Sequence, residues 1–124
     1  MGLLDGLLGN ASEVNVEDVA EEFAPILGEG ESLQQVFKEI RDMYLFTNYR
    51  LILVDKQGLT GKKVDYHSIP YRAITNFVVE TAGHFDLDAE LKVWISGRSE
   101  PIEKELKKDS VIGIQKTLAT CMFS

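Results

Sequence analysis

The sequence predicts a mainly β fold that closes with an α-helix and begins with helical segments. Runs rich in β-branched and aromatic residues recur between residues 33 and 106, separated by short segments that contain glycine, asparagine or aspartate. Apolar residues then recur at helical spacing over residues 111–122. The 124 residues suit one ordinary domain with a single core.

The first nine residues, MGLLDGLLG, contain four leucines spaced as one apolar face of a short helix. These are Leu3, Leu4, Leu7 and Leu8. Three interpretations are open: the face packs on its own domain, joins subunits, or lies on a membrane surface. Because so short a helix is marginal by itself, packing against protein is favoured.

A second helix is predicted from about Val16 to Ala24, ending near Pro25. Asn15 is a suitable N-cap, and Asp18 places a negative charge in the first turn. The sequence GEGE at residues 28–31 then predicts a loop. We therefore expect a helical extension over residues 1–28 and the main domain over residues 29–124.

The strand series begins ambiguously, since residues 33–41 fit both a helix and a strand. Met43 to Val54 is predicted as one continuous strand, whose apolar run RLILVD suits burial on both faces. The turn GLTGKK joins this run to VDYHSIP as a hairpin. Further strands are predicted over residues 74–80, 87–95 and 102–106, and a terminal helix follows Asp109.

Residues 47–97 carry a resemblance to the bacterial pleckstrin-homology-like family, and the opening MGLLDGLLGNASEV is also similar to it. The residues that carry it are Thr47, Asn48, Arg50, Gly58, Gly61, Lys62, Lys63, Tyr66, Ser68, Ile69, Pro70, Tyr71, Thr81, Ala82, Gly83, Asp86, Ala89, Glu90, Leu91 and Trp94. The resemblance implies a bent antiparallel sandwich or barrel with a C-terminal helix, and it makes residues 33–41 a strand. It also implies a non-enzymatic protein that forms a homo-oligomeric ring and acts as a scaffold or protein-interaction module.

The net charge of −7 is unevenly distributed. Residues 1–46 carry a net −8 and residues 76–124 a net −2, whereas residues 47–75 carry a net +3. An acidic chain lacks the electrostatic footprint of a nucleic-acid binder, and anionic lipid would repel it outside a local basic patch. Any weak contact with a membrane surface is therefore expected to involve residues 47–75.

Four basic residues are candidates for an anion or phosphoinositide headgroup site, which is the alternative function: Arg50, Lys62, Lys63 and Arg72. In lipid-binding pleckstrin-homology domains, which the fold resembles, basic residues near such a turn often hold the headgroup. Lysines beside a turn equally serve to keep an edge solvated. The candidate site thus competes with an ordinary charged surface.

Metal and catalytic sites find little support in the sequence. His84, Asp86, Asp88 and Glu90 alternate as ligands on one strand face would, but a flat strand rarely converges enough oxygens on calcium. Neighbouring strand residues point to opposite faces, so Ser68 has no base in the adjacent histidine. We predict no enzyme activity, no metal and no cofactor.

Cysteine usage and the lack of a secretion signal predict a cytoplasmic protein. Cys121 is the sole cysteine and cannot form an intramolecular disulfide. The expected partners are further copies of this chain and an unidentified protein, with no nucleic acid. The leucines at positions 3, 4, 7 and 8 are the candidate residues of the oligomer interface.

Overall fold

The structure is a computed structural model that describes residues 13–39, 42–57, 63–81 and 88–123. Its strands are β1 (Glu13–Val14), β2 (Leu33–Lys38), β3 (Asp42–Thr47), β4 (Arg50–Gln57), β5 (Lys63–Pro70), β6 (Ile74–Thr81), β7 (Asp88–Ile95) and β8 (Ile102–Lys107). Its helices are α1 (Val16–Phe23) and α2 (Lys108–Met122), with short 3₁₀ turns at Ala24–Ile26 and Tyr71–Ala73. The chain divides into two compact units, Glu13–Pro70 and the residues from Tyr71 onward.

The first unit is a five-stranded antiparallel sheet with α1 on one face. The strand order is β1-β2-β3-β4-β5. Phe23 of α1 packs with one sheet face, whose buried members are Val36, Met43, Leu45, Ile52 and Val54. The opposite face is also buried; there Phe37 and Phe46 meet edge to face with ring centroids 6.0 Å apart. Burial of four successive β4 residues, 51–54, confirms a strand covered on both sides.

The second unit is a three-stranded antiparallel sheet, β6-β7-β8, with α2 packed against it. Leu91 and Val93 of β7 are buried, as are Ile114 and Leu118 of α2. The predicted strands over residues 74–80, 87–95 and 102–106 and the predicted C-terminal helix are confirmed within the described ranges. The mainly β class with a terminal helix is therefore confirmed.

The capped N-terminal helix is confirmed in detail. Asn15 has extended backbone angles, and its side-chain oxygen accepts a hydrogen bond from the Glu17 N–H at 3.0 Å. Pro25 lies in the 3₁₀ turn that follows α1, and the loop predicted at residues 28–31 is present. Because α1 packs on the β2–β4 core, the helix and the first sheet form one unit. A domain boundary at residue 28 stays a prediction.

Two details of the strand prediction need correction. Residues 33–38 form a strand, as expected, but the two-residue strand β1 precedes it and pairs with Val36 and Phe37. The single strand predicted over Met43–Val54 is wrong, because β3 and β4 are separate strands joined by a tight turn at residues 48–49. That turn contains neither glycine nor proline, and side-chain hydrogen bonds hold it.

Candidate functional site

A tightly bonded polar cluster of the first unit joins Glu31 to Arg50. Arg50 Nε lies 2.7 Å from Glu31 Oε2, and Arg50 Nη2 donates to Oε1 at 2.9 Å. The Glu31 side chain is only 2% exposed and that of Arg50 is 26% exposed. This is the two-pronged geometry in which a guanidinium binds a carboxylate most strongly.

The same two side chains form hydrogen bonds with four further residues of the unit. Arg50 Nη1 donates to Ser68 Oγ at 2.7 Å, and Nη2 donates to the carbonyl oxygen of Ile26 at 2.8 Å. Glu31 accepts hydrogen bonds from the Thr47 hydroxyl at 2.7 Å and from the Gly28 N–H at 2.8 Å. We call this set of residues (Ile26, Gly28, Glu31, Thr47, Arg50 and Ser68) the Glu31–Arg50 clasp.

Electrostatics agrees with the geometry. The hydrogen bond from Arg50 holds the pKa of Glu31 at about 2, below its ordinary value of 4.5, although burial acts in the opposite direction. The hydrogen bond to Glu31 raises the pKa of Arg50 in turn. Both groups are therefore charged at neutral pH, and each neutralises the other.

The turn between β3 and β4 is built into the clasp. Thr47 Oγ1 accepts hydrogen bonds from the backbone N–H groups of Tyr49 at 3.0 Å and Arg50 at 2.9 Å. Asn48 accepts from the Ser32 N–H at 2.8 Å and donates to the Gly30 carbonyl at 3.0 Å. The Asn48 side chain thus joins the turn by two hydrogen bonds to the loop over residues 28–32, which follows α1.

Gly30 is required at this point of the loop. Its φ is +79°, and a Cβ at this position would lie 2.8 Å from the Tyr49 hydroxyl oxygen. The positive φ opposes any larger residue, and the exposed end of the Tyr49 side chain would have to move aside to admit one. The loop, the turn and the end of α1 are consequently fixed to one another, and α1 is held over the apolar sheet face.

Two of the predicted anion-site residues, Arg50 and Lys63, lie at opposite ends of the β4–β5 hairpin. Arg50 already donates to Glu31, Ser68 and the Ile26 carbonyl, so an anion would have to displace those partners. Lys63 is exposed and pairs with Gln57, seven residues along β4 from Arg50, which places it roughly 23 Å away. Arg72 is exposed in the second unit, and Lys62 lies outside the described residues.

Arg50 therefore has a structural role that the sequence did not reveal, and its partner Glu31 was missed. The sequence placed Glu31 in a polar loop 19 residues before Arg50, and no local pattern links the two. One available signal was that Arg50 is the sole basic residue between Tyr44 and Leu51. A lone cation beside a buried apolar run needs a buried counter-charge.

The structure describes only some of the other candidate residues that the sequence suggested. Leu3, Leu4, Leu7 and Leu8 lie outside the described residues, as do His84 and Asp86. Among the described residues, no group of histidine, cysteine and carboxylate side chains has a metal-binding arrangement. No helix in that part of the chain is long and apolar enough to cross a membrane.

One buried polar atom, the hydroxyl oxygen of Tyr44, does not belong to the clasp. Tyr44 is 1% exposed, and within the described part of the chain its hydroxyl has no hydrogen-bond partner. Burial, followed by the charges of Asp42, Glu39 and Asp55, raises its pKa. The hydroxyl thus stays protonated, and it lies on the sheet face opposite α1.

Comparison with known proteins gives the fold a family. The bacterial PH domain family model matches residues 2–122. The chain is 58% identical to the uncharacterised protein YjqA of Bacillus subtilis (strain 168), over 98% of this chain and 100% of that protein.

Solved structures agree with this assignment. A pleckstrin homology domain from Shewanella amazonensis SB2B is 60% identical with a TM-score of 0.86, over 98% of this chain and 99% of that one. A protein with a pleckstrin-homology domain from Shewanella loihica PV-4 is 61% identical with a TM-score of 0.79, over 93% and 99%. These matches confirm the pleckstrin-homology-like fold, and the chain belongs to the bacterial PH domain family.

Proposed function

We propose that this chain is a non-enzymatic PH-like domain that associates with further copies of itself and serves as a scaffold or protein-interaction module. The observation that carries the proposal is the character of β6. This strand, ITNFVVET, is an edge of the second sheet and pairs with β7 alone among the described strands. It has eight residues, an exposed Val78 in the middle of an apolar run, and one charged residue, Glu80.

The other sheet edges of the described structure are protected in the ways that soluble proteins commonly use. The strand β1 has only two residues. The strand β5 carries Lys63 and Asp65 and ends at Pro70, which has no N–H to donate. The strand β8, IEKELK, has four charged residues out of six. Because long edges with little charge are templates for strand pairing, β6 is the edge best suited to a partner.

Association through β6 fits a closed assembly of identical chains. Two β6 edges that pair with each other give a dimer, because that contact is the same on both copies. A ring instead requires β6 to meet a different edge of the next copy, and closure then leaves no β6 edge open. The assembly mass distinguishes these arrangements.

The test is the solution mass of the full chain by light scattering at two salt concentrations. A mass that is a multiple of 13.9 kDa, falling toward 13.9 kDa in Val78→Lys, is the expected result. Tyr66→Lys is the matched control, since it adds the same charge at an exposed position of β5. A monomeric wild-type chain, or equal loss of mass in both variants, would contradict the proposal.

The alternative function is binding of an anionic headgroup through Lys63, which is exposed at the start of β5, and Lys62, which lies outside the described residues. Its test is binding of the full chain to vesicles with phosphorylated inositol headgroups at low salt. Loss of that binding in the combined variant Lys62→Ala and Lys63→Ala would support it, and no binding by the wild type would remove it. Cytoplasmic location and an additional protein partner stay predictions.

A further inference from the structure

The second sheet has one face that is rich in carboxylates and that no described element covers. Its opposite face buries Leu91, Val93 and Leu106. Because side chains alternate along a strand, the residues between these point to the other face, where all of them are at least partly exposed. We call this surface the acidic face, and its residues are Asn76, Val78, Glu80, Glu90, Lys92, Trp94, Glu103 and Glu105.

Three glutamates lie in one row across the acidic face. Glu80 of β6 is directly opposite Glu90 of β7, and Glu90 is directly opposite Glu105 of β8. Like charges in directly opposed positions of antiparallel strands repel each other and lower stability. Desolvation, together with the charges of Glu103 and Glu80, raises the pKa of Glu90, although Lys92 acts in the opposite direction. The glutamate row is therefore unfavourable in the free chain.

The single cation of the acidic face, Lys92, does not balance these carboxylates. Its Nζ lies 3.2 Å from Glu80 Oε1 and 3.8 Å from Glu90 Oε1, so its charge is already engaged. With four glutamates and one lysine, the acidic face has a net charge of −3. The next row along the sheet pairs Asp88 with Lys107 and adds no net charge. An excess of negative charge consequently remains on this surface.

Two apolar side chains lie beside the charged rows. Val78 is directly opposite Lys92 and is 39% exposed, and the half-buried Trp94 is directly opposite Asn76. The face of a tryptophan ring attracts a lysine or arginine cation, and apolar surface accepts the aliphatic stem of such a side chain. Carboxylates beside exposed apolar surface thus suit basic side chains with long stems.

We propose that the acidic face binds a basic segment of another protein, whose lysine or arginine side chains lie beside Glu90 and Glu105 and over Trp94. The proposal rests on the protein-interaction role proposed above and gives the chemistry of the partner. Because this chain has a net charge of −7, its field repels a second copy, and the basic segment belongs to a different protein. Each bound cation also relieves the repulsion within the glutamate row, which favours the complex.

The test is titration of the full chain with a short oligolysine peptide at low salt, followed by the emission of Trp94, the sole tryptophan. We expect a saturable change in emission. Combining Glu90→Gln with Glu105→Gln should weaken the apparent Kd about fivefold, because two charges that face the peptide are removed. The matched control combines Glu21→Gln with Glu22→Gln, which removes the same charge from exposed positions of α1. It should weaken binding less than about twofold, since distant exposed charges are screened.

Three results would overturn the proposal. The first is the absence of both an emission change and a heat of binding in calorimetry with the wild type. The second is equal weakening by the two double variants, because the attraction would then depend on net charge alone. The third is binding of spermine as tightly as oligolysine, which would assign the acidic face to a small polyamine.

Two further measurements keep these results separate from other effects. The variant with Glu90→Gln and Glu105→Gln should be no less stable than the wild type in urea, because it loses like-charge repulsion, so weaker binding would not come from unfolding. Light scattering measures self-association independently of the peptide. A monomeric chain that binds oligolysine as expected would contradict the association through β6 and leave the acidic-face proposal intact.

Discussion

Replacing Glu31 by glutamine tests the clasp with little change in shape. The pKa of Glu31 falls from its ordinary value of 4.5 to about 2 in the folded chain. At 1.36 kcal/mol per pKa unit, this shift corresponds to about 3 kcal/mol of folding stability at neutral pH. The Glu31 side chain is 2% exposed, but that of Arg50 is 26% exposed, so solvent screening lowers that figure. We expect Glu31→Gln to lower the free energy of unfolding at pH 7 by about 2–3 kcal/mol, because Arg50 loses its buried counter-charge.

The pH dependence of the unfolding free energy gives a sharper test than its value at pH 7 alone. The folded-state pKa of Glu31 lies below the unfolded one, so the stabilisation is fully present above pH 4.5 and is lost as the pH falls toward 2. The wild type and Glu31→Gln should therefore differ most at neutral pH and converge below pH 4.5. Urea unfolding at several pH values and one fixed protein concentration measures this difference.

Glu29→Gln is the matched control, because Glu29 is an exposed carboxylate two residues away in the same loop. It should change the unfolding free energy by less than about 0.5 kcal/mol at pH 7. A difference between Glu31→Gln and the wild type that stays constant from pH 7 to pH 3 would refute the electrostatic account. The loss would then come from packing or hydrogen-bond geometry alone.

Three further changes test separate parts of the structure by urea unfolding. Tyr44→Phe should leave stability unchanged or raise it by about 1 kcal/mol, since it removes a buried hydroxyl that has no partner in the described chain. A clear loss of stability would show that this hydroxyl does have a hydrogen-bond partner. Gly30→Ala should cost about 1–2 kcal/mol and more than Gly97→Ala, because both glycines have positive φ but only the first approaches the Tyr49 hydroxyl; equal costs would exclude the steric part. Asn15→Ala should cost about 1 kcal/mol through the lost N-cap of α1, and restoration by Asn15→Ser would identify the cap as the cause.

Local patterns predicted the elements whose cause is local. Asn15, Val16 and Pro25 carry cap, face and stop signals within one short stretch, and the helix lies where they place it. The same holds for α2, whose apolar residues recur at helical spacing. The hairpin of β4 and β5 follows from two β-rich runs around a glycine-containing turn, and its antiparallel register is regular over eight residue pairs.

The sequence failed where the cause lies far along the chain. The turn between β3 and β4 consists of residues that also suit a strand, and Asn48 holds it through bonds to residues 30 and 32. Glu31 and Arg50 find each other across 19 positions of sequence only after the sheet has formed. Single-sequence periodicity contains no information on such pairs. The continuous strand was therefore a natural error, and the pairing of Arg50 with Glu31 could not be predicted.

The clasp also changes what the basic middle segment can do. Its net charge of +3 over residues 47–75 includes Arg50, whose charge Glu31 neutralises. Asp55 and Asp65 lie directly opposite each other in the β4–β5 register, two residues from the end where Lys63 begins β5. The net charge already includes these two carboxylates. The neutralisation of Arg50 by Glu31, a residue outside the segment, makes the long-range attraction of an anion weaker than that count suggests. This weakening favours the proposal that recognition uses the β6 edge, which among the described sheet edges is long and carries a single charged residue.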